Sequence, residues 1–399
     1  MRKNKSFYVL SPGGCSRRAI ETERIMNYLK LNNYSFAKNI SKAGLIYINT
    51  CAFDKDMEDL GINVIEKVLG KKSKNCKIVV GGCLPKINKE RFSKLGKIET
   101  ISPRSLDKLD NIIDSKVKFK NTKDPNILNK PSRLHMFCVD LFKVLKYKIG
   151  FPAFLWKKIY YIPPLLHYNY KTYFIKVADG CLGNCSYCAI KYSMGKLKSK
   201  PTQGIINEFE RGLEQGYKIF KLTAEDMGSY GMDIRTNIIE LLRRILEHND
   251  NYSIIVHNFN PNFLVKYYNE LLPIIKENYE KIESVDVPLQ SGSDKILKLM
   301  KRPYKIKQVE ECLLNLKKSV KNIKLTTQIM VGFPGESRKD FEKTLELIKK
   351  IKFDNITISK YSDRPRTKSS RMRNKIPEKI KIWRALKLGL YHKIQTLGT

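Results

Sequence analysis

Three cysteines stand within one short run, Cys181-Leu-Gly-Asn-Cys185-Ser-Tyr-Cys188. A loop with this C-x3-C-x2-C spacing can turn all three sulfurs toward one point. Thiolates are soft ligands that select iron–sulfur clusters or zinc over hard cations. A closed zinc site would normally add a fourth Cys or His close by. The next such residue along the chain is His248. Three ligands on a four-iron cluster leave one iron open to bind a cofactor or substrate. A zinc knuckle completed by a distant ligand, or three plain buried thiols, are the other uses of the same spacing.

A second set of thiols follows a different logic. The runs Phe7–Leu10, Leu45–Thr50 and Lys77–Val80 read as buried parallel strands, with helical spacing over 19–31 and 57–70 between them. Cys15 follows the first run through Ser11-Pro-Gly-Gly14, Cys51 directly follows the second, and Cys83 follows the third through Gly81-Gly82. In an open parallel sheet the loops beyond the carboxyl ends converge on one crevice. Three thiols delivered there would hold a second cluster; ordinary buried thiols are the plainer use. Cys76, Cys138 and Cys312 read as structural.

The first run, with Tyr187 before its last Cys, resembles the signature of radical S-adenosylmethionine (SAM) enzymes. The motifs Gly14-Cys15 with Glu21-Thr-Glu23, Asn49-Thr-Cys51-Ala-Phe53 and Gly81-Gly-Cys83 resemble, in that order, those of the methylthiotransferase branch. The resemblance implies two [4Fe-4S] clusters and SAM as cofactors. Cys181, Cys185 and Cys188 would hold the cluster whose open iron binds SAM, the site of reductive SAM cleavage to a radical. Cys15, Cys51 and Cys83 would bind a second cluster that holds or donates sulfur. The implied activity is insertion of a methylthio group at an unactivated C–H bond. No flavin or nicotinamide motif is visible, so electrons would come from an external donor such as flavodoxin or ferredoxin.

From Lys171 the pattern becomes strand–helix repeats. Strands are expected at 173–177, 219–222, 252–256, 284–287, 324–329 and 355–358, with helices over 202–216, 234–248, 262–279 and 337–351. Six such strands predict a partial (β/α)6 barrel with its functional loops beyond the carboxyl ends. The chain therefore reads as α/β, a Rossmann-like domain over 1–120, a linker or insertion over 121–170, a barrel over 171–376 and a C-terminal helix over 377–399. Motifs fall where the loops should be. Thr223, Glu225 and Asp226 suit SAM's ammonium or ribose, and Asn258 and Asn260 suit a base edge or peptide group of the substrate. Gln290, Ser291 and Gly292 lie in Pro288-Leu-Gln-Ser-Gly-Ser, which nearly repeats a family motif, and are expected at the cofactor: Gly292 would let the backbone approach it closely, and Gln290 and Ser291 would offer it hydrogen bonds. Gly332 lies in Met330-Val-Gly-Phe-Pro-Gly-Glu and fits close approach to adenine. Arg364 and Arg366 follow the sixth strand and are expected at the substrate. Three positions depart from the family pattern: Arg18 for a usual Asn, Met194 for a usual Arg, and Arg366 for a usual Gly. The family's small C-terminal β-barrel has no counterpart before Thr399.

The 399 residues carry a net charge of +37 and are 42% hydrophobic. Such a chain is globular and attracts polyanions, nucleic acid above all. No apolar run is long enough for a membrane span; Leu134–Leu166, apolar and aromatic with interspersed Lys, reads as packing between the two domains, with an amphipathic membrane-surface role as the alternative. Nine cysteines with no export signal point to a reducing, cytoplasmic setting. The stretch from Glu225 to Asp233 resembles the branch acting on N6-threonylcarbamoyladenosine near the anticodon of tRNA. A peptide or protein substrate, gripped through Arg18 and Arg366, is the alternative. The oligomeric state is not written in the sequence.

Overall fold

The run Leu-Ile-Tyr-Ile-Asn-Thr50 is apolar and rich in residues suited to strands, and all six positions are buried. It forms the centre of the first of two parallel sheets in the computed structural model, which describes residues 5–12, 15–128 and 171–397. The strands of that sheet are β1 (Ser6–Leu10), β2 (Ser35–Phe36), β3 (Leu45–Thr50), β4 (Lys77–Gly82) and β5 (Glu99–Thr100), in the order β2-β1-β3-β4-β5. Phe7, Ile25, Tyr28, Leu45, Tyr47 and Val79 fill the core between this sheet and the helix Ser16–Leu31. The register decides where the thiols go. Thr50 of β3 lies opposite Gly82 of β4, so Cys51 and Cys83 leave the sheet side by side. The Cys83 amide donates to the Thr50 carbonyl at 2.8 Å. Gly82 makes this possible, with φ at +85° and a carbonyl where any Cβ would stand.

The second sheet begins with β6 (Thr172–Lys176). A short antiparallel pair, β7 (Ala178–Asp179) and β8 (Lys198–Ser199), stands beside it. Then come β9 (Ile219–Thr223), β10 (Ser253–His257), β11 (Ile282–Asp286), β12 (Lys324–Val331) and β13 (Asn355–Lys360). The order β13-β12-β11-β10-β9-β6 is parallel throughout. Crossover helices Thr202–Glu214, Ile238–Leu246, Pro261–Glu277, Ile306–Ser319 and Arg338–Ile351 connect them. This is the expected partial barrel. The helix expected from 234 begins at Ile238, because the Asn237 side chain accepts from the Glu240 amide at 3.0 Å and caps it there.

The described residues divide into two compact units, those up to 128 with 192–194, and residues 171–191 with 195–397. Of the expected linker, residues 121–128 belong to the first unit, where Asp124 pairs with Arg24 at 3.4 Å. Cys138 and the apolar stretch Leu134–Leu166 lie outside the described residues. Among the described residues no helix is long and apolar enough to cross a membrane.

The C-terminal helix, Glu378–Leu397, is tied to the loop after β12 by a buried ion pair. Arg384 Nη1 meets Glu336 Oε2 at 2.5 Å, and the same carboxylate oxygen accepts from the Gly332 amide at 2.6 Å. Burial pushes the Glu336 carboxyl up even so, because its partners offset only part of the desolvation. Breaking the pair from one side strands the other charge. Arg384→Met is therefore expected to cost about 3–5 kcal/mol of stability, and adding Glu336→Leu should recover much of it. Chemical denaturation of the two variants reads this directly.

Candidate functional site

Cys15 is the first residue before the helix Ser16–Leu31, Cys51 follows β3 and Cys83 precedes the short helix Leu84–Ile87. Cys51 and Cys83 are buried and Cys15 is exposed. The three interact electrostatically with one another, so the loops do bring them together. Burial pushes the Cys83 thiol up to about 11, with the Arg18 charge opposing it. Cys51 is raised further, by burial and by its two neighbouring thiols. Such thiols ionise only when a metal takes the place of the proton. Around them, the Asn49 amide donates to the Arg18 carbonyl at 2.8 Å and to Thr22 Oγ1 at 2.7 Å. Arg18 itself is buried and paired with Glu21. Expected in the alternative reading to grip a substrate carboxylate, it has one nitrogen of its fork, Nη1, on Glu21 Oε2.

The other trio lies between β7 and the helix Ile190–Met194. The Gly183 amide points at Cys181 Sγ, 3.1 Å away. A Cβ on Gly183 would stand 3.1 Å from Cys181 Sγ and 3.8 Å from Cys185 Sγ, so this loop leaves free the space that a side chain would fill. Burial, then the neighbouring Asp226, pushes the Cys181 thiol up to about 12, and burial raises Cys188. The cysteines of both trios are free of disulfides. Among the described residues no three Cys, His, Asp or Glu side chains gather as a site for a single metal ion. Three soft thiols on a glycine-opened loop fit a cluster ligated at three corners.

Two acids and one base brace this loop. Glu225 Oε2 accepts from the Gly180 amide at 2.9 Å. Asp226 Oδ2 accepts from the Cys181 thiol at 3.8 Å and from the Asn260 amide at 3.0 Å. Burial keeps the Asp226 carboxyl above its ordinary range, although Asn260 and the Arg302 charge lower it. Arg302 is itself buried, with Nη1 3.9 Å from Cys185 Sγ and Nη2 donating to the Pro288 carbonyl at 2.7 Å. Tyr187 packs edge-on against Phe333 at 6.3 Å, beside Ile296, Met300 and Met330.

The remaining expected residues divide. Thr223 ends β9, fully buried. Gln290 has φ of +69° and locks onto β12 through its backbone, donating to Gln328 and accepting from Met330. Ser291 and Gly292, expected at the cofactor, face the helix Arg338–Ile351. The Gly292 amide donates to Thr344 Oγ1 at 2.9 Å, and a Cβ there would strike Thr344 Cα at 2.6 Å. The close approach that glycine allows is to this helix. Gly332, at φ +75°, is approached by Lys381 of the C-terminal helix. Asn258 and Asn260, expected to read substrate, spend their amides internally. Asn258 Nδ2 donates to the Ala224 carbonyl at 3.0 Å, and its Oδ1 accepts from Gln328 at 2.7 Å. Arg364 is buried, and Arg366 sits at φ +63°. That left-handed backbone gives a physical reason for glycine at this place in the family pattern.

Sequence reasoning passed over Asp286. It ends β11, accepts from Gln328 Nε2 at 2.7 Å and from the Asn258 backbone N–H at 3.1 Å, and pairs with His257 at 3.1 Å. Burial raises its carboxyl, but His257, Gln328 and Asn258 together hold it below the ordinary range. A carboxylate closing a buried strand was the available signal.

The chain is similar to known proteins. Residues 175–348 match the Radical SAM superfamily, and residues 8–102 match the uncharacterized protein family UPF0004. A Methanocaldococcus jannaschii protein named as a probable threonylcarbamoyladenosine tRNA methylthiotransferase is 31% identical over 363 residues, covering 90% of this chain and 77% of that one. A tRNA-2-methylthio-N(6)-dimethylallyladenosine synthase of Thermodesulfovibrio yellowstonii is 31% identical over 97% of this chain and 83% of its own length. A ribosomal protein uS12 methylthiotransferase of Carboxydothermus hydrogenoformans is 31% identical over 94% of this chain and 79% of its own. Among solved structures, the radical S-adenosylmethionine methyltransferase TsrM of Kitasatospora setae, with cobalamin and a [4Fe-4S] cluster bound, shares the fold. Its TM-score is 0.61 at 13% identity, over 92% of this chain and 77% of that one.

Two measurements follow from the geometry. The reconstituted chain should bind about eight irons, four per cluster. Cys181, Cys185 and Cys188 changed together to Ala should leave about four irons and abolish SAM cleavage, whereas the Cys15/Cys51/Cys83 triple variant should leave about four and keep it. If the second variant retains all its iron, the first unit holds no cluster. Separately, Arg366→Gly should relieve left-handed strain and raise stability by about 0.5–1 kcal/mol. A fall in the denaturation midpoint would mean that the arginine side chain contributes more than its backbone costs.

Proposed function

The chain belongs to the radical SAM methylthiotransferases, enzymes whose cofactors are [4Fe-4S] clusters and SAM, and on that premise we propose that it methylthiolates tRNA. The target nucleoside in this reading is N6-threonylcarbamoyladenosine near the anticodon. Cys181, Cys185 and Cys188 bind the cluster with the open iron, and Cys15, Cys51 and Cys83 bind the other. These cofactors supply the hydrogen abstraction from an unactivated C–H bond that no side chain can perform. The protein's own part is to fix the loops and exclude water. Glu225 holds Gly180 at the start of the thiol loop, and Asp226 and Arg302 flank its first two sulfurs.

One observation carries the choice of a polyanionic substrate. Ser186, inside the thiol loop, ties three chain segments together. Its amide donates to the Met300 carbonyl at 2.9 Å, its hydroxyl to the Leu299 carbonyl at 2.8 Å, and its carbonyl accepts from the Ser369 amide at 3.0 Å. Lys301 and Lys368 are the chain neighbours of Met300 and Ser369, and they are thereby brought side by side. Lys191 reaches back to Asn184 Oδ1 at 3.0 Å in the same loop. The neighbouring Lys368, and after it Lys191, push the Lys301 ammonium below its ordinary range. Like charges held this close favour an anion between them, and phosphates of RNA supply one. The alternative protein substrate draws on the uS12 methylthiotransferase likeness, but Arg18, one of its two expected carboxylate grips, is buried and paired through Nη1 with Glu21.

Binding to tRNA should weaken by orders of magnitude between about 50 and 200 mM salt if six or more phosphates are contacted. Replacing Lys191, Lys301 and Lys368 together by Gln should reduce the log–log salt slope by about 2–3. Salt-insensitive or absent tRNA binding would overturn the tRNA reading in favour of the protein substrate.

A further inference from the structure

Arg302 follows Met300-Lys301 at the end of the helix Asp294–Met300 and precedes Pro303. Its side chain is spent unlike that of a surface arginine. It is 9% exposed, and no carboxylate pairs with it among the ion pairs of the described residues. Nη2 is anchored on the Pro288 carbonyl at 2.7 Å, which fixes the guanidinium plane from the β11 side. The guanidinium lies 5.4 Å from the Tyr304 ring centroid, and the Tyr304 hydroxyl in turn is bonded to the Leu289 carbonyl. Nη1 is aimed at Cys185 Sγ, 3.9 Å away. Nε is buried without any hydrogen-bond partner. A buried cation with an unpartnered N–H costs several kcal/mol unless a negative charge offsets it. The negative charge toward which its Nη1 is directed is the one that Cys185 acquires when it is a thiolate ligand.

We propose that Arg302 is a positioning residue for the cluster ligated by Cys185, setting that cluster's reduction potential through a fixed positive charge and an N–H directed at the ligating sulfur. The physics is direct. Taking up an electron makes the cluster more negative, and a cation held close in a low-dielectric site stabilises that state more than the oxidised one. Hydrogen bonds to ligating sulfur act in the same direction. The one electron itself comes from an external low-potential donor. Asp226, beside Cys181, has the opposite sign on the opposite flank of the loop, and Arg302 lies within its electrostatic reach. The pair would hold the loop between two fixed charges, with the guanidinium on the side of Cys185.

This inference rests on the reading of Cys181, Cys185 and Cys188 as cluster ligands. The test is an EPR-monitored redox titration of the full reconstituted chain, with iron content determined on the same samples. Arg302→Gln should keep its iron and move one midpoint to more negative potential, lowering the reduced-to-oxidised ratio at a fixed potential about tenfold, which is 59 mV for one electron. Arg302→Lys keeps the charge but not the fork, and should give a smaller shift in the same direction. Midpoints that match the parent chain's in every variant that holds iron would overturn the proposal; should the Gln variant lose its cluster, the Lys variant decides alone. Failure of the underlying reading would look different: the Cys181/Cys185/Cys188 triple variant would then keep its full iron.

Discussion

The structure depends on one constraint, the parallel register that carries successive strand ends to the same edge of a sheet. In the first unit Thr50 lies opposite Gly82, and the residues that follow each strand are cysteines. A shift of one residue would turn one of those thiols to the other face. Parallel strands buried on both faces tolerate no such slip, because Ile46, Ile48, Val79 and Val80 are completely enclosed. The chemistry of the loop is therefore held by the packing of the strand that precedes it.

In the second unit the same constraint sets where the acids and amides stand. Thr223, His257 and Asp286 end adjacent strands, and the loops just past them supply Glu225, Asp226, Asn258 and Asn260. These side chains bond mainly to one another and to backbone. They form a braced rim on which the thiol loop rests, through Glu225 with Gly180 and Asp226 with Cys181. Rigid support of this kind is what a site needs if its reacting groups are to stay within a few tenths of an ångström of productive geometry. Ser186 completes the rim from the other side, joining the thiol loop to the segments after β11 and β13.

Much of this was legible in the sequence, for physical reasons. Buried parallel strands read as continuous apolar runs, and every strand expected from such a run is present within a few residues of its predicted ends. Cysteines just past those runs were equally visible, since spacing along the chain is spacing in space when a strand precedes it. What could not be read was the direction of polar side chains. Asn258 and Asn260 looked like substrate readers, but the cheapest partners for a buried amide are nearby carbonyls and carboxylates. Gly292 signalled close approach correctly and its target incorrectly: the neighbour is the helix Arg338–Ile351. Arg302 carried no local pattern, and Asp286 only that of a carboxylate closing a buried strand, because their partners come from distant parts of the chain. The conformation at Arg366 was foreshadowed by the departure from glycine, since a left-handed backbone is one of the reasons for glycine at a position.

The central claim is that the two sets of thiols serve one reaction on RNA. It is tested most directly by mass spectrometry of tRNA nucleosides from a host lacking methylthio-N6-threonylcarbamoyladenosine. The host would be supplied either with this chain or with its Cys181/Cys185/Cys188 triple Ala variant. The account predicts that the methylthio nucleoside appears with the intact chain and is absent with the variant. Identical nucleoside profiles from the two strains, with both proteins present in equal amounts, would contradict it.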